Sequence, residues 1–160
     1  MSFDLLKEWD ISISEAHSKF SIGKQTDAFD DIKELKPIFS FDYISMKNSS
    51  FCFNGQTIGR QDYIKLFKSL KNISSYTYET LNKEYRFHFH EVDWKDTSLS
   101  ASDFYKCIYE TYNGEEDITA YQFKVFEEAR VVGFIYRGVF YLVLFDRGHN
   151  VYKRKDKKKR

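Results

Sequence analysis

The sequence is poor in residues that break, staple or anchor a chain. Its 160 residues include one proline, seven glycines and two cysteines. So little Pro and Gly excludes a collagen-like or low-complexity chain. Cys52 and Cys107 lie far apart with no metal-type spacing. That excludes a disulfide scaffold or a Cys-based zinc module and points to two buried thiols in a reducing compartment. No window reaches the ~18 uninterrupted apolar residues of a membrane helix. The opening MSFDLLKEWD is acidic and lacks an apolar signal core, so a cytoplasmic protein with no membrane partner is expected. No nucleophile elbow, phosphate loop, dinucleotide fingerprint or Cys-x-x-Cys pair is present, and no cofactor is expected.

Aromatic residues are abundant instead: sixteen Phe, twelve Tyr and two Trp, enough for a real core in one domain of this length. The net charge of +1 conceals an asymmetry. Lys153 to Arg160 holds seven basic residues and one acid, whereas the remaining 152 residues hold 18 basic and 23 acidic ones. We therefore divide the chain into a single domain over 1–152 and a basic, flexible tail over 153–160. An acidic body is not the profile of a surface that grips a long phosphate backbone, so nucleic-acid affinity is expected in the tail.

The pattern predicts an α+β domain with a mostly antiparallel sheet, a central C-terminal hairpin and helices packed on one side. Val131–Tyr136 and Val139–Phe145 are nearly continuous in β-branched and aromatic residues, with Arg137-Gly138 between them. Such runs suit strands covered on both faces. Upstream, short helices are expected within 1–25, and a helix capped by Thr26 carries Phe29, Ile32 and Leu35 until Pro37 stops it. Alternation of Phe39, Phe41 and Tyr43, then of Phe51 and Phe53, predicts a meander over 38–58 with turns at Asn48-Ser49 and Asn54-Gly55. Tyr63, Leu66, Phe67, Leu70 and Ile73 mark an amphipathic helix from Arg60, its aromatic stripe read as core. A helical turn lies between Ser75 and Asn82, a strand over 85–94, a helix opened by the capping box Ser100/Asp103 and closed at Asn113-Gly114, and a strand over 121–126.

Two clusters carry candidate chemistry. On a strand, His88 and His90 share a face with Arg86, and Asp93 follows; such a set suits a transition metal or, more blandly, a solvated sheet face. After the last strand, Asp146, His149 and Tyr152 gather. Asp146 either orients the His149 imidazole or caps the turn Asp146-Arg147-Gly148. Should the clusters converge, His88, His149, Arg86 and Arg130 suit metal-independent phosphodiester cleavage, in which imidazole moves the proton and guanidinium steadies the developing charge.

The strings RFHFHEVDW (86–94), YQF (121–123) and RVVGFIYRGVFYLVLFDRGHNVY (130–152) resemble a group of small uncharacterised bacterial proteins. Their pattern runs R-F-H-x-x-D-W, Y-Q-F, R-V-x-G-F, F-Y-x-V-x-x-D and H-x-x-Y. Arg86, His88, Asp93, Trp94, Arg130, Gly133, Asp146, His149 and Tyr152 fall on those positions, whereas His90 stands where the pattern carries Pro or a neutral residue. The resemblance implies a protein of mobile-element or phage-defence type. A weaker likeness to RelE-type toxins implies a ribosome-dependent RNase with a late strand followed by His and Tyr.

Together these readings lead to a small protein acting on or near nucleic acid as a toxin-like, metal-independent endoribonuclease. His88, His149 and Asp146 would be catalytic, and Arg86, Arg130 and Tyr152 would bind substrate. The alternative is a non-catalytic module that binds a protein partner, as an antitoxin, an inhibitor or a subunit of a defence complex.

Overall fold

The computed structural model describes residues 28–46, 51–109 and 118–152. The helices expected within 1–25, the Thr26 cap, the turn at Asn48-Ser49, the helix end at Asn113-Gly114 and the tail 153–160 lie outside them.

The centre is the expected hairpin. Strand β4 (Ala129–Tyr136) is buried along its whole length and pairs antiparallel with β5 (Val139–Asp146). Arg137 (φ 51°) and Gly138 (φ 75°) both take positive φ, giving a tight two-residue turn whose twist matches that of the strands. A register shift falls between Val132 and Gly133, and there only glycine fits: a Cβ on Gly133 would sit 2.0 Å from the Tyr141 carbonyl oxygen.

Strand β3 (Ala120–Phe126) flanks β4, and two short strands close the edges. β1 (Ile38–Ser40) runs parallel to β5, and β2 (His90–Glu91) runs antiparallel to β3, giving the order β1-β5-β4-β3-β2. Alternate side chains of β4 enter two cores. Val131 and Ile135 join Leu66, Leu70, Ile73, Tyr78, Leu81, Phe123 and Phe140. Val132 and Phe134 join Phe104, Tyr105, Ile108 and Val143. Helices α2 (Arg60–Ile73) and α3 (Tyr78–Lys83) thus cover one face, as expected, and α4 (Ala101–Ile108) covers the other. The Ser100/Asp103 capping box opens α4, and its Phe104 packs against Trp94 at 5.3 Å. No helix among the described residues is long and apolar enough to cross a membrane.

Several local expectations give way to tertiary packing. The first described helix, α1, is only Phe29–Ile32, and Leu35 is exposed. No meander forms among the described residues of 38–58. After Ser40 the chain turns, with Ile44 N–H donating to the Phe41 carbonyl, and Tyr43 packs on Phe134 and Tyr141. Neither Asn54 nor Gly55 takes positive φ. Instead Phe53 stacks on Phe145 at 5.5 Å, and the Phe51 carbonyl accepts from Phe145 N–H. Phe67, expected in the core, is 56 % exposed beside Phe41.

The strand expected over 85–94 is also replaced. Tyr85–Phe87 is a 3₁₀ turn, β2 has two residues, and Trp94–Asp96 is a second 3₁₀ turn. Phe87 and Phe89 both reach the core, but from a turn that His88 closes in left-handed conformation. His88 and His90 therefore do not stand two apart on one strand face.

Candidate functional site

The second 3₁₀ turn and the segment after β5 are stitched together. Thr97 bridges Tyr152, Ser98 N–H donates to the Val151 carbonyl at 2.6 Å, and Ser98 Oγ donates to the Asn150 carbonyl. Asp146 is wholly buried, and its carboxylate accepts from the N–H groups of Asn150 and Val151, both at 2.8 Å. It shapes the turn that presents His149 and is sealed from any substrate. Asp93 caps its own turn, accepting from Lys95 N–H.

This stitching brings the two clusters together. The His149 ring lies 6.0 Å from Tyr152, and Tyr152 lies 6.3 Å from His90. The His88 ring lies 4.4 Å from that of Tyr85, tilted by 56°, and Tyr85 is 84 % exposed. Burial holds the His88 imidazole below the usual histidine range, and the positive charges of Arg130, Lys124, His90 and His149 push it the same way. The charges acting on His88 thus come from β2, β3, β4 and the last turn. Both His88 (φ 45°) and His149 (φ 55°) occupy the left-handed region, a conformation costing about 1 kcal/mol for a residue with a Cβ. Such outliers gather at functional sites.

Two groups in this cluster carried no role in the sequence reading. Gln122 is buried opposite His90, and its Nε2 lies 2.9 Å from His90 Nε2. A carboxamide nitrogen only donates, so His90 Nε2 accepts while Nδ1–H donates to the Glu91 carbonyl at 2.7 Å. With the amide so assigned, one arrangement of the His90 ring satisfies both contacts. Gln122 Oε1 is buried without a partner among the described residues. Lys124, the second group, sits opposite Arg130 in the β3–β4 register. The Gln in YQF was a signal, being polar within an aromatic strand. Lys124 had none, because its place depends on register.

The arginines divide. Arg130 is 6 % exposed, and its Nη1 donates to the carbonyls of Glu128 and Ala129. Burial depresses its pKa, opposed by the charges of Asp146, Glu128 and Tyr85. It supplies positive field from within. Arg86 lies outside, over Tyr76 and Phe87, with Nε donating to Glu84 at 2.6 Å. It lines a cleft of about 310 Å³ with Lys68, Ser69, Asn72 and Lys124. Tyr152 is half-buried, and desolvation raises its phenol pKa. Among the described residues, no three His, Cys, Asp or Glu side chains are grouped to hold a metal ion.

An α+β sheet with a titratable cluster at one edge is the class of protein defined so far. Residues 39–160 match the family described as Uncharacterised protein UU032, and the chain belongs to that family. No curated protein and no solved structure matches it.

Proposed function

We propose that the protein acts on nucleic acid as a metal-independent endoribonuclease of toxin or defence type, working in the cytoplasm. The observation that carries this reading is the gathering of His90, Tyr152 and His149 at one sheet edge, with His88 two residues from His90 and Lys124 paired to Arg130 on the strands beside them. His88, neutral at pH 7, takes the proton from a ribose 2′-hydroxyl. The hydroxyl oxygen attacks the adjacent phosphorus, and His149 donates a proton to the departing 5′-oxygen. Lys124 at the surface and Arg130 behind it stabilise the charge that develops on the phosphoryl oxygens. The products are a 2′,3′-cyclic phosphate and a 5′-hydroxyl.

The test is incubation with end-labelled RNA in excess chelator, with product ends identified by mass spectrometry. Wild type should cut and leave cyclic phosphate ends. His88→Ala and His149→Ala should each be inactive with unchanged melting. A double variant that cuts as well as wild type, or a wild type that cuts no RNA, overturns the reading.

A second reading, a module that binds a protein partner, is supported by the exposed side chains of Ile38, Phe41, Met46 and Phe67. In that case Phe67→Glu, and not His88→Ala, removes the protein's effect in cells.

A further inference from the structure

The cleft between α2 and the β3 edge shares only Lys124 with the catalytic step, and it is a cationic concavity. Lys68, Arg86 and Lys124 line it, with Ser69 and Asn72 on the helix wall. Its neighbour Lys65, on the same helix, is neutralised by Glu127 at 2.6 Å. Lys68 and Lys124 have no carboxylate within ion-pair distance among the described residues. Glu84 is the acid closest in sequence to the cleft-lining Arg86, and it occupies the Arg86 Nε. That contact, with Tyr76 and Phe87 under the guanidinium, fixes Arg86 before any ligand arrives. The walls are fixed as well, since the Ser69 hydroxyl donates to the Val125 carbonyl. β2 pairs only with Tyr121 and Gln122, so among the described residues no strand covers the β3 edge beyond them.

The cleft adjoins the His88 cluster at two points. Lys124 lines the one and acts on the imidazole in the other. Arg86 and His88 are two residues apart on the same turn. At the head of that turn Tyr85 offers an open aromatic face. A cationic cleft and a cationic cluster that meet at one turn bearing an exposed ring match a strand whose bases are unstacked, because a duplex has no free base to lay on Tyr85.

We propose that this cleft is a phosphate subsite for single-stranded RNA, seating the backbone phosphate next to the one held at the His88 cluster. The inference rests on the ribonuclease reading for the identity of the strand. Lys68 and Lys124 supply the charge, Arg86 the oriented fork, and Tyr85 stacks the intervening base.

Fluorescence anisotropy with the full chain and a labelled oligouridylate of about twelve nucleotides tests it. Lys68→Gln/Arg86→Gln should bind about tenfold more weakly, and the slope of log affinity against log salt should become shallower by about 1.4. Melting should be unchanged, and a blunt RNA duplex should bind more weakly than the single strand. The tail is present in every variant, so its contribution cancels. Wild-type affinity and slope in the double variant overturn the subsite but leave the ribonuclease reading intact, provided His88→Ala still abolishes cleavage. Loss of affinity in the double variant with no RNA cleaved by wild type leaves the subsite standing and removes the catalytic reading. Equal binding of duplex and single strand, or binding of pyrophosphate with no binding of RNA, overturns the subsite.

Discussion

The two edges of the sheet solve the same problem in opposite ways. At one, β1 lies against β5 and presents Ile38, with Phe41 and Phe67 exposed nearby. At the other, β2 covers two residues of β3 and is surrounded by histidines, Lys124 and a basic cleft. Both strands are very short, a common way to blunt an edge against unwanted pairing. The polar edge goes further: it spends left-handed backbone at His88 and His149 and buries an unpaired amide oxygen at Gln122. The His88 conformation also lets Phe87 and Phe89 both enter the core. The difference separates an apolar edge from one that gathers titratable groups.

Striking the element shared by both edges should have the largest effect. Gly133→Ala places a methyl against the Tyr141 carbonyl, so both edges should fail together. A loss of more than ~3 kcal/mol is expected in urea unfolding. Near wild-type stability would mean that the register shift there relaxes freely.

Next, Gln122→Leu should separate function from fold at the polar edge. It removes the donor to His90 Nε2 and also the orphaned oxygen. Stability should change by less than ~1 kcal/mol, since both members of an unsatisfied group leave together. The two-dimensional NMR tautomer pattern of His90 should lose its single Nδ1–H form. An unchanged pattern would show that Glu91 alone sets the tautomer.

A smaller effect is expected from the backbone at His149. His149→Gly should be more stable than His149→Ala by about 1 kcal/mol, because only glycine enters the left-handed region without cost. Thermal melts of the pair decide it, and equal melting would mean the turn re-forms around the Ala.

The smallest effect is in pH. The folded His88 pKa lies below its unfolded value, so the unfolded chain binds more protons in the window below about 6.5. Stability should be fully present above that value and decline as pH falls through the folded pKa. His88→Asn should flatten the decline. RNA should reverse the shift, since a phosphate beside the imidazole favours its charged form, and affinity should rise as pH falls through the same window. Affinity independent of pH would place the phosphate away from His88. At the apolar edge, by contrast, Phe67→Glu should leave stability within ~0.5 kcal/mol at every pH.

What could be read from sequence was what local chemistry decides. The hairpin was legible because two β-branched and aromatic runs meet at a pair of residues able to take positive φ. The capping box at Ser100/Asp103 was legible for the same reason, as was the gathering of Asp146, His149 and Tyr152 over a single turn. The 85–94 segment was misread because period-two aromatics describe any chain that drops alternate side chains into a core. Phe87 and Phe89 do so from a 3₁₀ turn and a left-handed residue. Asn54-Gly55 suited a hairpin turn, but the stacking of Phe53 on Phe145 decided the path. Lys124 and Gln122 entered the site through register, which no single stretch encodes.

The parallel contact of β1 with β5 has a consequence for how the molecule assembles. It joins Ile38 to Val139, whereas every other strand pairing links near neighbours or a shorter loop. Closing a loop of that length costs about 4 kcal/mol of chain entropy before the contact returns anything. β1 is therefore expected to be the last strand to settle, once the hairpin exists as a template. On a ribosome, which releases the chain from its N-terminus onward, the segment around Ile38 emerges first and is completed last. During that interval its apolar side chains and the bare flank of β5 are both open, and a chaperone or a neighbouring nascent chain has its best opportunity to intervene.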